Sequence, residues 1–191
     1  MIYFFGLCVL SLGIATVTNA GLGTGTVSSV AFVLNRLTDF SMGFFVFLTN
    51  VFFFVLQIIV DSKGLFKKAL RQLSICFVFG MIFDVALWVS GHIVPQNYCE
   101  QLVMTFLGST LTGLGIASMV FARLAILPPE GFVQAIMNRW GGSFGTLRMS
   151  ADLFLLASAA IISFLSLGTI VGIREGTLIT ALCSGQLLNF F

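Results

Sequence analysis

Six stretches of this sequence are long and apolar enough to cross a lipid bilayer, and this feature excludes most soluble folds. A helix needs about 20 predominantly apolar residues to span the hydrocarbon core. Hydrophobic residues make up 58% of the chain and charged residues only 8%, whereas soluble domains carry about 25% charged residues. We therefore expect an all-α polytopic membrane protein. The six predicted spans are residues 1–19, 41–60, 69–91, about 101–122, about 146–167 and about 176–191.

The few charges and cysteines exclude several other classes. The formal charge of +2 comes from 9 basic and 7 acidic residues without a charge run, so no basic face is available for nucleic acid. The cysteines have neither metal-ligand spacing nor the pattern of a disulfide framework. No cofactor or metal is expected. Residues 1–19 lack a basic n-region and are predicted to be an uncleaved first helix. The four cysteines are Cys8, Cys76, Cys99 and Cys183.

An internal duplication divides the chain. The sequence Leu12-Gly13-Ile14-Ala15 returns as Leu114-Gly115-Ile116-Ala117, at a constant shift of 102 residues. The same shift superposes Ser28 on Glu130, Ser41 on Ser143 and Asn50 on Asp152. A period this long indicates two halves of one domain and not a solenoid. We expect a single membrane domain, residues 1–191, with repeats at about 1–91 and 101–191.

Each repeat also contains a helix too short to cross the membrane. Val27–Leu37 and Glu130–Trp140 each allow only about half a crossing at 1.5 Å per residue. Thr26, Ser28 and Ser29 are good helix N-caps, and Pro128-Pro129-Glu130 places proline and an acid in a first turn. The sequence leaves open whether these helices are re-entrant or lie in the interface. A re-entrant helix implies a polar cavity around its broken end.

Basic residues predict the orientation. Residues 61–71 hold four basic residues, and residues 123–148 add three arginines, so both segments are expected on the cytoplasmic side. Both termini are then cytoplasmic as well. With three full spans in each repeat, the second repeat must be inverted relative to the first. Inverted repeats with broken helices are a recurrent plan of secondary transporters.

The two Leu-Gly-Ile-Ala copies, Ala20-Gly21-Leu22-Gly23 leading into a short helix, and the Pro-x-acid-Gly turn at 128–131 resemble the YitT/YczE-type family of bacterial multi-pass membrane proteins. The ending Gly176-Thr177 to Ala181-Leu182 and Gly185 is similar to that family's closing helix. The family's first turn typically reads Gly-Pro-x-Asp, but this chain has Gly25-Thr26-Val27-Ser28. The resemblance implies a bacterial cytoplasmic (inner) membrane protein with a transporter-like build, and it names no substrate.

Polar residues inside apolar spans are the candidates for a substrate or ion site. Asp84 must be partnered, protonated or hydrated at its depth. Arg148 and Asp152 are four residues apart on one helix and can pair with each other. Asn50 can instead make an interhelical hydrogen bond, and the Gly13 and Gly115 faces can serve close helix packing. The candidate residues are Thr24, Thr26, Ser28, Asn50, Asp84, Glu130, Arg148 and Asp152.

No enzyme constellation is visible in the sequence. His92 has no acid or nucleophile at helical spacing, as acid-base catalysis would need. Gly21-x-Gly23-x-Gly25 follows a predicted transmembrane helix and not a strand, so it is not expected to bind a nucleotide.

Three functions are compatible with these features. The first is a small-solute secondary transporter, in which Asp84 or Glu130 couples to protons. The second is a substrate-binding membrane subunit of an ATP-driven transporter, and the third is a structural partner of a membrane complex. In the transporter, we expect residues 21–29 to meet the anionic or carbonyl part of the solute and Glu130 to meet a donor or a proton. Expected partners are the lipid bilayer, a small molecule or ion, and a second copy or another membrane protein.

Overall fold

The computed structural model describes residues 2–61, 66–122 and 127–177, and these residues form helices without strands. Five helices are long and apolar enough to cross a membrane, and two are much shorter. The protein is therefore an all-helical membrane protein, as the composition predicts. In chain order the helices are α1 (Ile2–Asn19), α2 (Thr26–Leu37), α3 (Met42–Val60), α4 (Phe66–Ser90), α5 (Tyr98–Ala122), α6 (Pro128–Trp140) and α7 (Phe144–Leu167).

The helices agree with five of the six predicted spans and with both short segments, apart from their ends. α4 begins three residues earlier than expected, at Phe66, and α5 three residues earlier, at Tyr98. α6 begins at Pro128 with an acid in its first turn, as its start signals predict. The predicted span 176–191 lies almost entirely outside the described residues.

The helix caps differ from the prediction at α2. Its N-cap is Gly25, without a side-chain cap, and Ser28 and Ser29 instead donate to the carbonyls of Gly25 and Thr26 at 3.0 and 2.7 Å. Inside a helix, a serine hydroxyl commonly donates to the carbonyl three or four residues earlier instead of accepting from a backbone N–H. Ser41 and Ser143, which the repeat aligns, do cap α3 and α7.

The closest helix pair is α1 and α5. A methyl group on Gly13 would lie 2.5 Å from the Thr112 nitrogen and 2.7 Å from the Gly108 carbonyl oxygen. A methyl group on Gly6 would lie 3.1 Å from the Gly115 carbonyl oxygen. Since residue 6 lies against 115 and residue 13 against 108, the two helices run antiparallel. Small residues at such crossings let backbones approach closely, as the glycine faces predict.

Gly13→Ala is expected to destabilise the protein by about 1–3 kcal/mol, because the new methyl group meets rigid backbone and the helices must separate. The measurement is the thermal unfolding midpoint of the purified protein in detergent. Leu12→Ala, at a neighbouring position that is 38% exposed, is the control and is expected to change little. Equal midpoints for Gly13→Ala and the wild type would contradict this packing.

Contacts at the helix ends establish which ends share a side. Asn19 at the end of α1 donates to the carbonyl of Leu87 and the hydroxyl of Ser90 at the end of α4, at 3.1 and 2.7 Å. At the other side, Arg139 near the end of α6 donates to the carbonyl of Val60 at the end of α3, at 2.7 Å. α1 and α4 therefore run in one direction. Gly43 at the start of α3 donates to Asp84 in the last two turns of α4 at 2.6 Å, so α3 runs antiparallel to α4 and ends on the opposite side.

The segment after α7 returns to the turn before α2. The Thr24 nitrogen donates to the Gly172 carbonyl at 3.0 Å, and the Gly176 nitrogen donates to the Leu22 carbonyl at 2.9 Å. Gly23 has a φ of 126° and lies directly against the Thr177 hydroxyl, so a side chain there would be strained and blocked. These contacts fix the turn that leads into α2.

Candidate functional site

A cavity of about 80 Å³ lies between the starts of the two short helices. α2 contributes residues 25–28 to its wall, and α6 contributes Pro129 and Glu130. Asn50 of α3 and Arg148 of α7 complete its polar side. A water needs about 10–15 Å³ of such space, so the cavity can hold several waters or one small solute.

The cavity lies halfway along the long helices. Leu10, Asn50, Phe79 and Thr112 line it, and each is close to the middle of α1, α3, α4 or α5 respectively. The structure thus brings the broken starts of α2 and α6 together at the centre of the helix bundle. The alternative, in which the two starts lie at opposite ends of the bundle, does not occur.

A largely buried ionic network connects α2, α6 and α7 beside this cavity. Arg148 contacts both acids, with Nη1 donating to Glu130 Oε1 at 2.5 Å and Nε donating to Asp152 Oδ2 at 3.3 Å. The Thr26 hydroxyl donates to Asp152 Oδ1 at 2.9 Å. Arg148 and Asp152 are 7% and 5% exposed. The predicted pairing of Arg148 with Asp152 is therefore present, and Glu130 and Thr26 extend it from α6 and α2.

Two buried oxygens at the cavity have no hydrogen-bond donor within the described part of the chain. They are Glu130 Oε2 and Asn50 Oδ1. Asn50 is 1% exposed, and its Nδ2 donates to the Val46 carbonyl of its own helix at 2.8 Å. The interhelical hydrogen bond considered for Asn50 is thus replaced by a bond within α3. Because buried polar atoms are normally paired, these two oxygens can accept hydrogen bonds from a bound molecule.

The start of α2 is not free for an anion, in contrast to the sequence-based expectation. Asp152 lies at this end through its bond to Thr26. A carboxylate stabilises the positive end of a helix dipole, so Asp152 occupies the position expected for the anionic part of a solute. The sequence could not show this contact, because residues 26 and 152 are 126 positions apart.

Thr24 and Asp84 do not line the cavity. Thr24 is buried in the turn described above, and its hydroxyl donates to the Gly172 carbonyl at 3.3 Å. Asp84 is half-buried and accepts the Gly43 N–H at 2.6 Å, at the start of α3. A carboxylate at a helix start is favourable, so both residues have structural partners outside the candidate site.

The chemistry of the site is electrostatic and hydrogen-bonding. The network carries two carboxylates and one guanidinium, and the cavity offers unpaired acceptors beside it. Within residues 2–61, 66–122 and 127–177, no group of three or more His, Cys, Asp or Glu side chains is arranged to hold a metal ion. The arrangement suits reversible binding of a small polar molecule.

The sequence reasoning missed the apolar wall of the cavity, which includes Leu10, Ile14, Phe79 and Ile116. The repeated Leu-Gly-Ile-Ala motif holds two of these residues, Ile14 and Ile116, next to the glycines that bring α1 and α5 together. That motif could have indicated the apolar wall, but isoleucines in this pattern are also typical of ordinary helix packing.

Comparison with known proteins gives a family and no solved structure. The model of a family of unknown function (DUF6198) matches residues 1–191. The chain is 28% identical to YyaS of Bacillus subtilis (strain 168) over 192 residues, covering all of this chain and 90% of YyaS. It is 24% identical to the membrane protein YczE of the same organism, covering 98% of this chain and 82% of YczE. No solved structure matches.

Proposed function

The chain belongs to the family of unknown function DUF6198, and from this premise and the cavity described above we propose that it is a small-solute secondary transporter of the bacterial cytoplasmic membrane. The observation that carries the proposal is the polar cavity between the starts of α2 and α6, with its buried Glu130–Arg148–Asp152 network. Ionisable side chains inside a membrane domain are expensive and mark substrate or ion pathways. This placement favours transport over a purely scaffolding role.

An exchange symmetry in the packing supports an inverted repeat. The shift of 102 residues maps Gly6 onto Gly108 and Gly13 onto Gly115. Under this shift, the contact between Gly6 and Gly115 corresponds to a contact between Gly108 and Gly13, and both contacts are present. The same shift relates α2 to α6 and α3 to α7. The packing of α2 on α7 therefore corresponds to the packing of α6 on α3, and both pairs are in contact. Because α1 and α5 run antiparallel, the axis that relates the repeats lies in the membrane plane, as in many transporters.

The short helices then act as re-entrant half helices. α2 and α6 begin at the cavity in the middle of the bundle, and α6 ends beside Val60 at the end of α3. Twelve or thirteen residues extend about 18–20 Å at 1.5 Å per residue, which is enough to reach from mid-depth to a surface. In this proposal both termini are cytoplasmic. The basic segment 61–71 follows the end of α3, and Arg139 lies beside the same end; such basic residues favour the cytoplasmic side.

Rocking of one repeat against the other would expose the cavity to each side in turn. The test begins with an untargeted metabolite comparison between deletion and overexpressing cells. Each solute that changes is then assayed for counterflow in proteoliposomes that contain only the purified protein. We expect counterflow of at least one small solute. The proposal fails if none of these solutes exchanges across liposomes that contain folded protein.

A second candidate function is a substrate-binding membrane subunit of an ATP-driven transporter. The same cavity favours it, because such a subunit also encloses its solute. Co-purification of stoichiometric ATPase subunits, together with solute binding but no counterflow by the isolated chain, would favour this function over the first.

A further inference from the structure

The ionic network beside the cavity carries an excess of negative charge. Glu130, which lines the cavity and whose side chain is 13% exposed, and the buried Asp152 behind it share the single guanidinium of Arg148. When both acids are ionised, the network has a formal charge of −1. An uncompensated charge is strongly unfavourable in surroundings of low dielectric, so a positive group is needed at or near the network.

The unpaired oxygens show where that group would bind. Glu130 Oε2 and Asn50 Oδ1 are both buried acceptors without a donor among the described residues, and both side chains line the cavity. Asn50 is independent of the ionic network, because its only described side-chain bond is to the Val46 carbonyl. Two acceptors and one excess negative charge favour a cation that carries several N–H groups.

The carboxylates of the protein would disfavour an anionic ligand. Asp152 already lies at the start of α2 through Thr26, and Glu130 lies in the first turn of α6. Both positive helix ends are therefore matched by carboxylates of the protein. An additional anion in the cavity would face the Glu130 carboxylate, and the guanidinium of Arg148 beside it is already shared by two carboxylates.

The rest of the wall is mainly apolar and includes Leu10, Ile14, Phe79, Ile116 and Leu127. We propose that the cavity binds a small primary amine in its ammonium form, with the ammonium group donating to Glu130 and Asn50 and a short apolar substituent against this wall. This inference rests on the proposed function and names the class of its solute. A proton on Glu130 would neutralise the same charge but would supply one donor, whereas a primary ammonium supplies three.

The test is binding of n-propylammonium chloride to the purified full-length protein in detergent. Thermal stabilisation is followed against ligand concentration, since a ligand of the folded state raises its stability. Sodium propionate is the anion of matched size, and sodium chloride controls for ionic strength. We expect n-propylammonium to raise the unfolding midpoint with saturation, and neither sodium salt to do so.

Three variants test whether the ammonium group binds to Glu130 and Asn50. Glu130→Gln keeps an acceptor for Arg148 but removes the charge, and Asn50→Leu removes the second acceptor at similar volume. Each is expected to weaken n-propylammonium binding by about tenfold or more, the effect of losing a charge-assisted hydrogen bond. Asp84→Asn removes an acid outside the cavity and is expected to leave the affinity unchanged.

Several outcomes would overturn the inference. They are binding of propionate at this site, absence of n-propylammonium binding to the wild type, equal affinities in Asn50→Leu and the wild type, and a proton-dependent stabilisation that the amine does not alter. These outcomes are separable from the proposed function. Counterflow of a solute that is not an amine would leave transport intact, whereas amine binding without any counterflow would leave the site intact and reject transport.

Discussion

Replacing Arg148 with leucine is expected to be among the most destabilising single substitutions in this protein, at about 3–5 kcal/mol. The guanidinium bonds Glu130 and Asp152 at once, and all three groups are buried or nearly so. Its removal leaves two carboxylates close together with Thr26 as the only other described donor to either. The measurement is the unfolding free energy in detergent, or the midpoint of thermal unfolding where unfolding is irreversible.

A triple variant separates charge from packing. Arg148→Leu combined with Glu130→Gln and Asp152→Asn removes the repulsion, and we expect it to recover most of the stability lost in the single variant. A buried ion pair contributes little net stability compared with a neutral replacement, even though breaking it is costly. A single variant as stable as the wild type, or a triple variant no more stable than the single one, would contradict the network.

The second large effect is on transport. Glu130→Gln is expected to lower solute counterflow about 10–100-fold, because the loss of a charged hydrogen-bonding group corresponds to about 1.5–3 kcal/mol. Its fold should persist, since the glutamine oxygen can still accept from Arg148. The measurement is the initial counterflow rate per folded protein, with folding checked by size-exclusion chromatography.

Asp84→Asn is the matched control. It also converts a half-buried acid to its amide, but Asp84 accepts the Gly43 N–H at the start of α3 and lies outside the cavity. We expect a lower unfolding midpoint with counterflow retained. Full counterflow in Glu130→Gln, together with loss in Asp84→Asn, would move the functional acid from the cavity to the α3–α4 contact.

The elements predicted from sequence are those with a local cause. The length of apolar runs predicts six spans, of which the described residues form five, and their interruption by Gly or by Pro128-Pro129 predicts the two short helices. The Arg148–Asp152 pair follows from a spacing of four residues on one helix. The sixth predicted span depends on residues 178–191, which the structure does not describe.

The remaining parts of the site depend on contacts between distant residues. Thr26 and Asp152 are 126 residues apart, and Glu130 and Arg148 are on different helices. The hydrophobic periodicity of a sequence carries no information about such contacts. Asp84 and Thr24 were equally good candidates in the sequence, and only the packing of Gly43 and Gly172 against them shows that their polar groups are used in the scaffold.

The most direct test of the central claim, a mid-depth cavity that opens to both sides, is the accessibility of Ser28. Ser28 lines the cavity and is 3% exposed. A Ser28→Cys variant in a background without the four native cysteines is treated with a membrane-impermeant thiol reagent, in intact cells and in inverted vesicles. The reference is a chain that retains only Cys99, which is exposed in the first turn of α5. The proposed orientation places Cys99 at the outer surface.

The transporter account predicts that Ser28→Cys reacts from both sides at measurable rates, slower than Cys99, and that the Cys99 reference reacts only in intact cells. Reaction of Ser28→Cys from a single side, with Cys99 behaving as expected, would contradict alternating access to this cavity.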